Sequence, residues 1–368
     1  MSAVDLQPMQ QTNNAQDLVA NGNDDNDAAM TTTTTTHDEY ATTYTELSAL
    51  QAAGIAASDL KKLTDGGYHT ANSLLMTPMK ELEAVKGLSE AKILKMRDAA
   101  REVVPGWQAG SSKFSIASEI VRQREGQIVR VSTGSTAFDA MLGGGIETKA
   151  LTEIHGESNQ GKTQLCYTIA AASMLPPAEG EPSWKAGKVI WVDTEGSAVL
   201  TRIGEIAEER WQLDKQSVLE NVMYARPYTT QQLDELALQM GAICTQEQVR
   251  TIVVDSIINL FRTEFSGRGE LAERQQRLKT FLMRLKKIAE EHNVAVVYTN
   301  QVSAKPDAMS FGPAFNAVGG HVLFHASTFR IQMKRGRAGM KVAALETSPC
   351  LPPSTAEVQV TSGGIFDA

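Results

Sequence analysis

The octet Gly156-Glu157-Ser158-Asn159-Gln160-Gly161-Lys162-Thr163 constrains this chain more than any other stretch. It fits the spacing G-x-x-x-x-G-K-[ST] at every fixed position. The glycines let the backbone wrap tightly around phosphates. Lys162 brings a point charge for the β and γ phosphates, and the Thr163 hydroxyl is a ligand for Mg²⁺. The apolar run Leu151 to Ile154 reads as the strand before the loop. The stretch Gln164 to Met174 reads as the helix after it. This context implies a nucleotide site built from Gly156, Glu157, Ser158, Asn159, Gln160, Gly161, Lys162, Thr163 and Gln164.

The alternation continues along the chain. Val189–Val192, Thr251–Val254 and Val294–Tyr298 are short apolar strands. Between them the spacing predicts helices over Leu200–Trp211, Thr230–Cys244 and Glu270–Glu291. Buried strands alternating with helices imply an α/β fold with a mainly parallel sheet covered on both faces. After Phe329 the pattern changes to short alternating strands, Phe329–Lys334, Lys341–Leu345 and Glu357–Val360, which predicts an antiparallel extension. This ATPase core is expected over residues 128–368.

Two further strand ends carry acid. Thr251-Ile252-Val253-Val254-Asp255 is apolar and ends in a carboxylate placed to support a bound metal. Trp191-Val192-Asp193-Thr194-Glu195 ends in two acids, either of which has the spacing to activate a water molecule. Thr299-Asn300-Gln301 ends a third strand in an amide suited to sensing a γ-phosphate. Val302 to Val318 then reads as a mobile loop. The stretch Phe261 to Gln276 contains Ser266-Gly267-Arg268-Gly269-Glu270, with Arg274 beyond it. Its glycines permit close backbone approach and its arginines can grip phosphates.

The N-terminal third differs in composition. Residues 1–45, with six consecutive threonines from Thr31, have few apolar anchors and are expected to be a disordered acidic tail. The eight carboxylates of residues 1–46, unaccompanied by Lys or Arg, account for the whole formal charge of −8. The remainder is formally neutral, so overall charge does not exclude a nucleic-acid partner. Residues 46–104 read as a small helical domain. In it, Val85-Lys86-Gly87-Leu88-Ser89 suggests a helix-hairpin-helix, with Ser89 as a cap and Lys92 beside a phosphate-binding helix start. Residues 105–127 read as a linker containing Phe114-Ser115-Ile116-Ala117. The chain is 42% hydrophobic and 21% charged, an ordinary globular mix. No apolar run reaches the roughly 18 residues of a membrane span, so no membrane partner is expected. The N-terminus lacks the pattern of a secretory leader. Cys166, Cys244 and Cys350 have no metal-ligand spacing, which suits a reducing compartment.

Taken together these residues resemble the eukaryotic RecA-type DNA strand-exchange recombinases, from about Thr45 to the C-terminus. The most specific matches are Phe265 to Gln275, Gly319-Gly320-His321, His325-Ala326-Ser327-Thr328 and Ser348-Pro349-Cys350-Leu351-Pro352. The resemblance implies a RecA-like P-loop core behind a helix-hairpin-helix domain. It implies ATP and Mg²⁺ as cofactors, with Lys162 and Thr163 on the triphosphate and metal, and Asp255 supporting the metal. It makes Glu195 the water-activating residue and Gln301 the coupler of the γ-phosphate to the following loop. Arg202 matches a residue that stacks on adenine, and Pro352 one that covers the base from the next subunit. Arg268 and Arg274 match DNA-contacting residues. Phe114 and Ala117 match an oligomerisation element that inserts into a neighbour. His321 and Ser362-Gly363-Gly364-Ile365 lean towards the meiotic branch. The implied partners are single-stranded and double-stranded DNA, further copies of the chain in a filament or ring, and recombination mediator proteins. The implied location is the nucleus.

The chain also departs from this pattern. Ser158 and Asn159 replace an aromatic and an arginine, and Ala198-Val199-Leu200 replaces Phe-Arg-Pro. Phe315 and Asn316 stand where paired lysines are usual, and Thr347 where an aspartate caps a neighbour's ATP. Two functions follow: an ATP-dependent recombinase, or a divergent paralogue that binds ATP and supports other recombinases without exchanging strands. A hexameric helicase fits less well, because its usual accessory domains have no counterpart.

Overall fold

In a computed structural model the described residues are 44–105, 107, 114, 116–176, 187–267, 269–304 and 315–368. The expected acidic tail, apart from its last two residues, lies outside them. So do Arg268 and residues 305–314 of the expected loop.

The chain first builds a helical layer from α1 (Ala49–Ala52), α2 (Ala57–Asp65), α3 (Ala71–Met76), α4 (Met79–Leu82) and α5 (Glu90–Val103). Leu50, Leu63, Leu74, Leu82, Ile93 and Met96 fill its core. The turn between α4 and α5 needs Gly87, which sits at φ +82°. The Gly87 carbonyl accepts a hydrogen bond from Lys62 Nζ at 3.0 Å. Two details correct the sequence reading. Ser89 occupies the N-cap position of α5, but its side chain makes no capping bond. Lys92 Nζ lies 2.9 Å from Asp59 Oδ2, so its charge is already paired within the layer.

The layer rests on the core through polar contacts. Lys287 Nζ donates to Thr77 Oγ1 at 2.6 Å, and Thr70 Oγ1 donates to Glu291. Tyr44 Oη donates to the Thr245 carbonyl at 2.9 Å, and its ring meets His292 edge-on at 4.9 Å. Burial pushes His292 down to about 4 from 6.5, with His69 and Lys287 adding in the same direction. Glu291 Oε1 is 3.8 Å away. Burial raises that carboxyl's own pKa, against the Thr70 hydrogen bond and the Lys287 charge. The unfolded chain therefore binds a proton below pH 6.5 that the folded chain refuses until about pH 4. This contribution is intact above pH 6.5 and is lost as pH falls through that window. At pH 5 the loss is about 2 kcal/mol, at about 1.4 kcal/mol per pKa unit. Urea unfolding at pH 7.5 and pH 5 measures it: His292→Gln should lose less stability between the two than wild type. Equal losses would remove His292 as the cause.

The expected linker contains a helix, α6 (Ala117–Glu125), with no buried residue. Its run of helix formers, free of Gly and Pro, accounts for it.

The core follows in the order β1 (Arg130–Val131), α7 (Thr136–Met141), β2 (Ile146–Glu147), β3 (Ala150–Gly156), α8 (Lys162–Ala172), β4 (Lys188–Asp193), α9 (Thr201–Trp211) and α10 (Lys215–Glu220). Then come β5 (Val222–Ala225), α11 (Thr230–Gln246), β6 (Val249–Asp255), α12 (Asn259–Glu264), α13 (Leu271–His292) and β7 (Ala295–Asn300). β8 (Val302–Ala304) and β9 (Phe315–Ala317) precede α14 (Gly320–Ala326). The chain ends in β10 (Phe329–Arg335), β11 (Lys341–Thr347), β12 (Ser354–Thr361) and β13 (Gly364–Asp367).

Among the described residues the main sheet runs β13-β12-β11-β10-β3-β7-β6-β4-β5. Pairing is parallel from β10 to β5 and antiparallel from β10 to β13. Successive strand residues point to opposite faces. Val189, Trp191, Val253 and Val297 therefore join a core with α8 and α9. Ile190, Val192, Ile252, Val254 and Val296 join a second core with α11 and α13. Burial on both faces explains the continuous apolar runs that marked these strands. The expected loop Val302–Val318 is not wholly a loop: β8 and β9 pair antiparallel at its base, Val302 opposite Ala317. Among the described residues no helix is long and apolar enough to cross a membrane.

Candidate functional site

Parallel pairing brings four strand ends to one edge of the sheet. His155 pairs with Asn300, and Asp193 with Asp255. Everything just beyond Gly156, Asp193, Asp255 and Asn300 thus faces one crevice, the usual ligand site of open α/β sheets. Gly156 lies at φ +154°, and a Cβ there would collide with the Met333 carbonyl. Gly161, at φ +88°, opens α8 without a capping side chain. The first N–H groups of α8 and its positive end are thereby left to an anion. Lys162 Nζ donates to the carbonyls of Gly156 at 2.9 Å and Glu157 at 2.7 Å. Burial holds its pKa below the usual lysine value, and the charges of Asp255 and Glu195 oppose that shift.

The carboxylates have separate jobs. Asp255 Oδ2 accepts from Thr163 Oγ1 at 2.9 Å, and its other oxygen accepts from Thr299 Oγ1. Burial raises its pKa against those two bonds. The two acids left open by spacing are distinguished by their partners. Asp193 accepts from the backbone N–H groups of Glu195, Gly196 and Ala198 at 3.0, 2.6 and 3.0 Å, and so shapes the turn. Glu195 Oε1 accepts from Ser256 Oγ at 2.7 Å and from Gln301 Nε2 at 2.9 Å. Gln301 Oε1 in turn accepts from Arg262 Nη1 at 2.9 Å. The hairpin β8–β9 starts at the next residue.

Arg202 Nη2 donates to the Thr361 carbonyl at 2.7 Å, and its Nε approaches Gln164 Oε1 at 3.4 Å. Pro352 is not near this edge. β11 runs antiparallel to β10, and its end Thr347 pairs with Arg330 near the start of β10. The Thr347–Pro352 segment therefore lies at the opposite end of the sheet from the phosphate loop. Phe114 and Ala117 are exposed, as are Ile116, Ile120 and Val121. Arg274 sits in the first turn of α13, with Nε lacking a hydrogen-bond partner among the described residues.

Some residues of the site were not anticipated. Ser256 follows Asp255 directly and was legible as a polar residue at a strand end. Thr299, Arg262 and Lys341 reach the site only through pairing of distant segments. Lys341 Nζ donates to the Asn159 carbonyl at 3.0 Å.

Fold and site together define a RecA-like P-loop protein. Residues 123–368 match the Rad51 family model. The chain is 44% identical over 332 residues to the meiotic recombination protein DMC1 homolog B of Oryza sativa subsp. japonica, covering 90% of this chain and 93% of that protein. It is 43% identical over 336 residues to the meiotic recombination protein DMC1/LIM15 homolog of Homo sapiens, covering 90% and 95%. It is 42% identical over 320 residues to the DNA repair protein RAD51 homolog 1 of Arabidopsis thaliana, covering 86% and 90%. The chain belongs to the Rad51 family.

Proposed function

We propose that the chain is an ATP-dependent DNA recombinase. It assembles on single-stranded DNA, pairs it with a homologous duplex and exchanges strands, in meiosis or recombinational repair in the nucleus. The observation that carries this reading is the bond between Glu195 and Gln301. It joins a carboxylate facing the phosphate loop to the first residue before the hairpin β8–β9.

The residues present fit ATP with Mg²⁺. The glycines and the open start of α8 suit a triphosphate, and Lys162 needs only to leave two loop carbonyls to reach it. Thr163 and Asp255 offer hard oxygen ligands 2.9 Å apart. A bound Mg²⁺ there would neutralise charge on the β and γ phosphates. Glu195 orients the attacking water and accepts its proton. Ser256 and Gln301 hold that carboxylate, and Arg262 holds Gln301. A γ-phosphate that draws the Gln301 amide away from Glu195 changes the anchoring of the hairpin, which links nucleotide state to the DNA-facing loop. Arg202 lies beside Gln164 at the adenine end, and Arg274 with Arg268 contacts DNA phosphates.

The position of Pro352 supports assembly. At the far end of the sheet it can cover only the nucleotide of a second copy. Such a head-to-tail contact joins different surfaces and propagates as a filament or closes as a ring. The helical layer over 46–104 is a helix-hairpin-helix domain resting on the core, and recombination mediator proteins are further partners. Joint-molecule formation with purified protein, single-stranded DNA, homologous duplex, ATP and Mg²⁺ tests the function. ATP binding and filament formation without joint molecules would favour the supporting paralogue.

A further inference from the structure

The phosphate loop is held from outside by a residue far away in sequence. Asn159, at its apex, adopts φ +61°, the left-handed region. That conformation is costly for a residue with a side chain, less so for Asn than for most. It turns the Asn159 carbonyl outward, where Lys341 Nζ donates to it at 3.0 Å. The same ammonium lies 3.4 Å from Gln160 Oε1, on a side chain that is itself buried. Lys341 is the first residue of β11 and is fixed by its register opposite Arg335 of β10 and Val358 of β12. It is half-buried, so its charge is placed by the sheet rather than by a flexible surface chain.

A peptide plane whose carbonyl is pinned outward has its N–H fixed as well. We infer that Lys341 is a positioning residue for nucleotide binding: it pins the Asn159 carbonyl and so presets the phosphate loop for the triphosphate. The inference rests on the nucleotide reading above. The mechanism is preorganisation, in which affinity rises because the loop need not be ordered when the ligand arrives. It does not touch the reacting atoms, so it acts on binding and not on turnover.

The test uses the full-length protein and ATPγS. Lys341→Met should weaken equilibrium ATPγS binding about tenfold, the scale of one hydrogen bond to a charged group. The KM for ATP should rise in step while kcat stays at its wild-type value, and the ATPγS-induced rise in melting temperature should shrink. Lys341→Arg should restore most of the affinity, because it keeps a charged donor. In an Asn159→Gly background, where the left-handed conformation is cheap, Lys341→Met should cost clearly less than in wild type. Unchanged ATPγS affinity in Lys341→Met overturns the inference. So does an equal loss in the Asn159→Gly background, which is what a distant charge acting on the triphosphate would give. Wild-type protein that binds no ATPγS overturns the nucleotide reading, and this inference with it.

Discussion

Lys162→Ala should abolish measurable ATP hydrolysis and weaken ATP binding. Lys162 is the first residue of α8, and its ammonium is held at the loop by the Gly156 and Glu157 carbonyls. On the proposed nucleotide reading, truncation removes the main side-chain charge that would face the β and γ phosphates. Removing one preorganised donor of this type costs on the order of 10²–10³ in turnover. Glu195→Gln provides the contrast. It preserves the size and the hydrogen-bonding reach of the side chain but cannot take a proton, so ATP binding persists while turnover slows. Single-turnover hydrolysis and equilibrium binding separate the two cases. Wild-type turnover in Lys162→Ala protein would sink the phosphate-loop assignment.

The parts of the site that were legible in the sequence are those encoded locally. The glycine-lysine-threonine loop is one contiguous octet, and its flanking strand and helix are buried enough to read as apolar runs. Asp255 is marked by the strand that ends in it. Asp193 and Glu195 could not be ranked, because only Thr194 separates them and both stand at the end of the same apolar run. The ranking comes from the turn, whose N–H groups fold onto Asp193 and leave Glu195 to the crevice. Arg262, Thr299 and Lys341 were silent because each acquires its partner through register between segments far apart in the chain. β5 and the β8–β9 hairpin were missed for a different reason. They are short, and β5 carries an exposed Tyr224 in place of a clean apolar pattern. Pro352 and Thr347 show the value of topology. Only the antiparallel turn of β11 reveals that they sit at the end of the sheet away from their own phosphate loop.

The same topology sets the largest expected effect on assembly. Phe114 is fully exposed, and Ile116, Ile120 and Val121 are exposed apolar side chains close to it in sequence. No residue of α6 is buried, so these side chains have no core of their own among the described residues. β5 is an edge strand, bonded among the described residues to β4 alone. An unpaired edge is a template for another chain, and an exposed aromatic followed by an extended Ile116 is suited to meet one. A phenylalanine buried at such a contact removes about 150–250 Å² of surface from water. Hot-spot truncations of this kind cost at least about 2 kcal/mol, roughly thirtyfold per contact. Phe114→Glu adds the cost of burying an unpaired carboxylate. The variant should therefore remain folded, with an unchanged melting profile at low concentration, yet scatter light as small particles where wild type forms filaments with ATP and single-stranded DNA. ATP binding should survive, since the segment lies outside the crevice. Joint-molecule formation should fall with the filaments. Full-length filaments of Phe114→Glu protein under the same conditions would show that this aromatic anchors only its own linker, and would move the assembly contact to the Thr347–Pro352 end of the sheet.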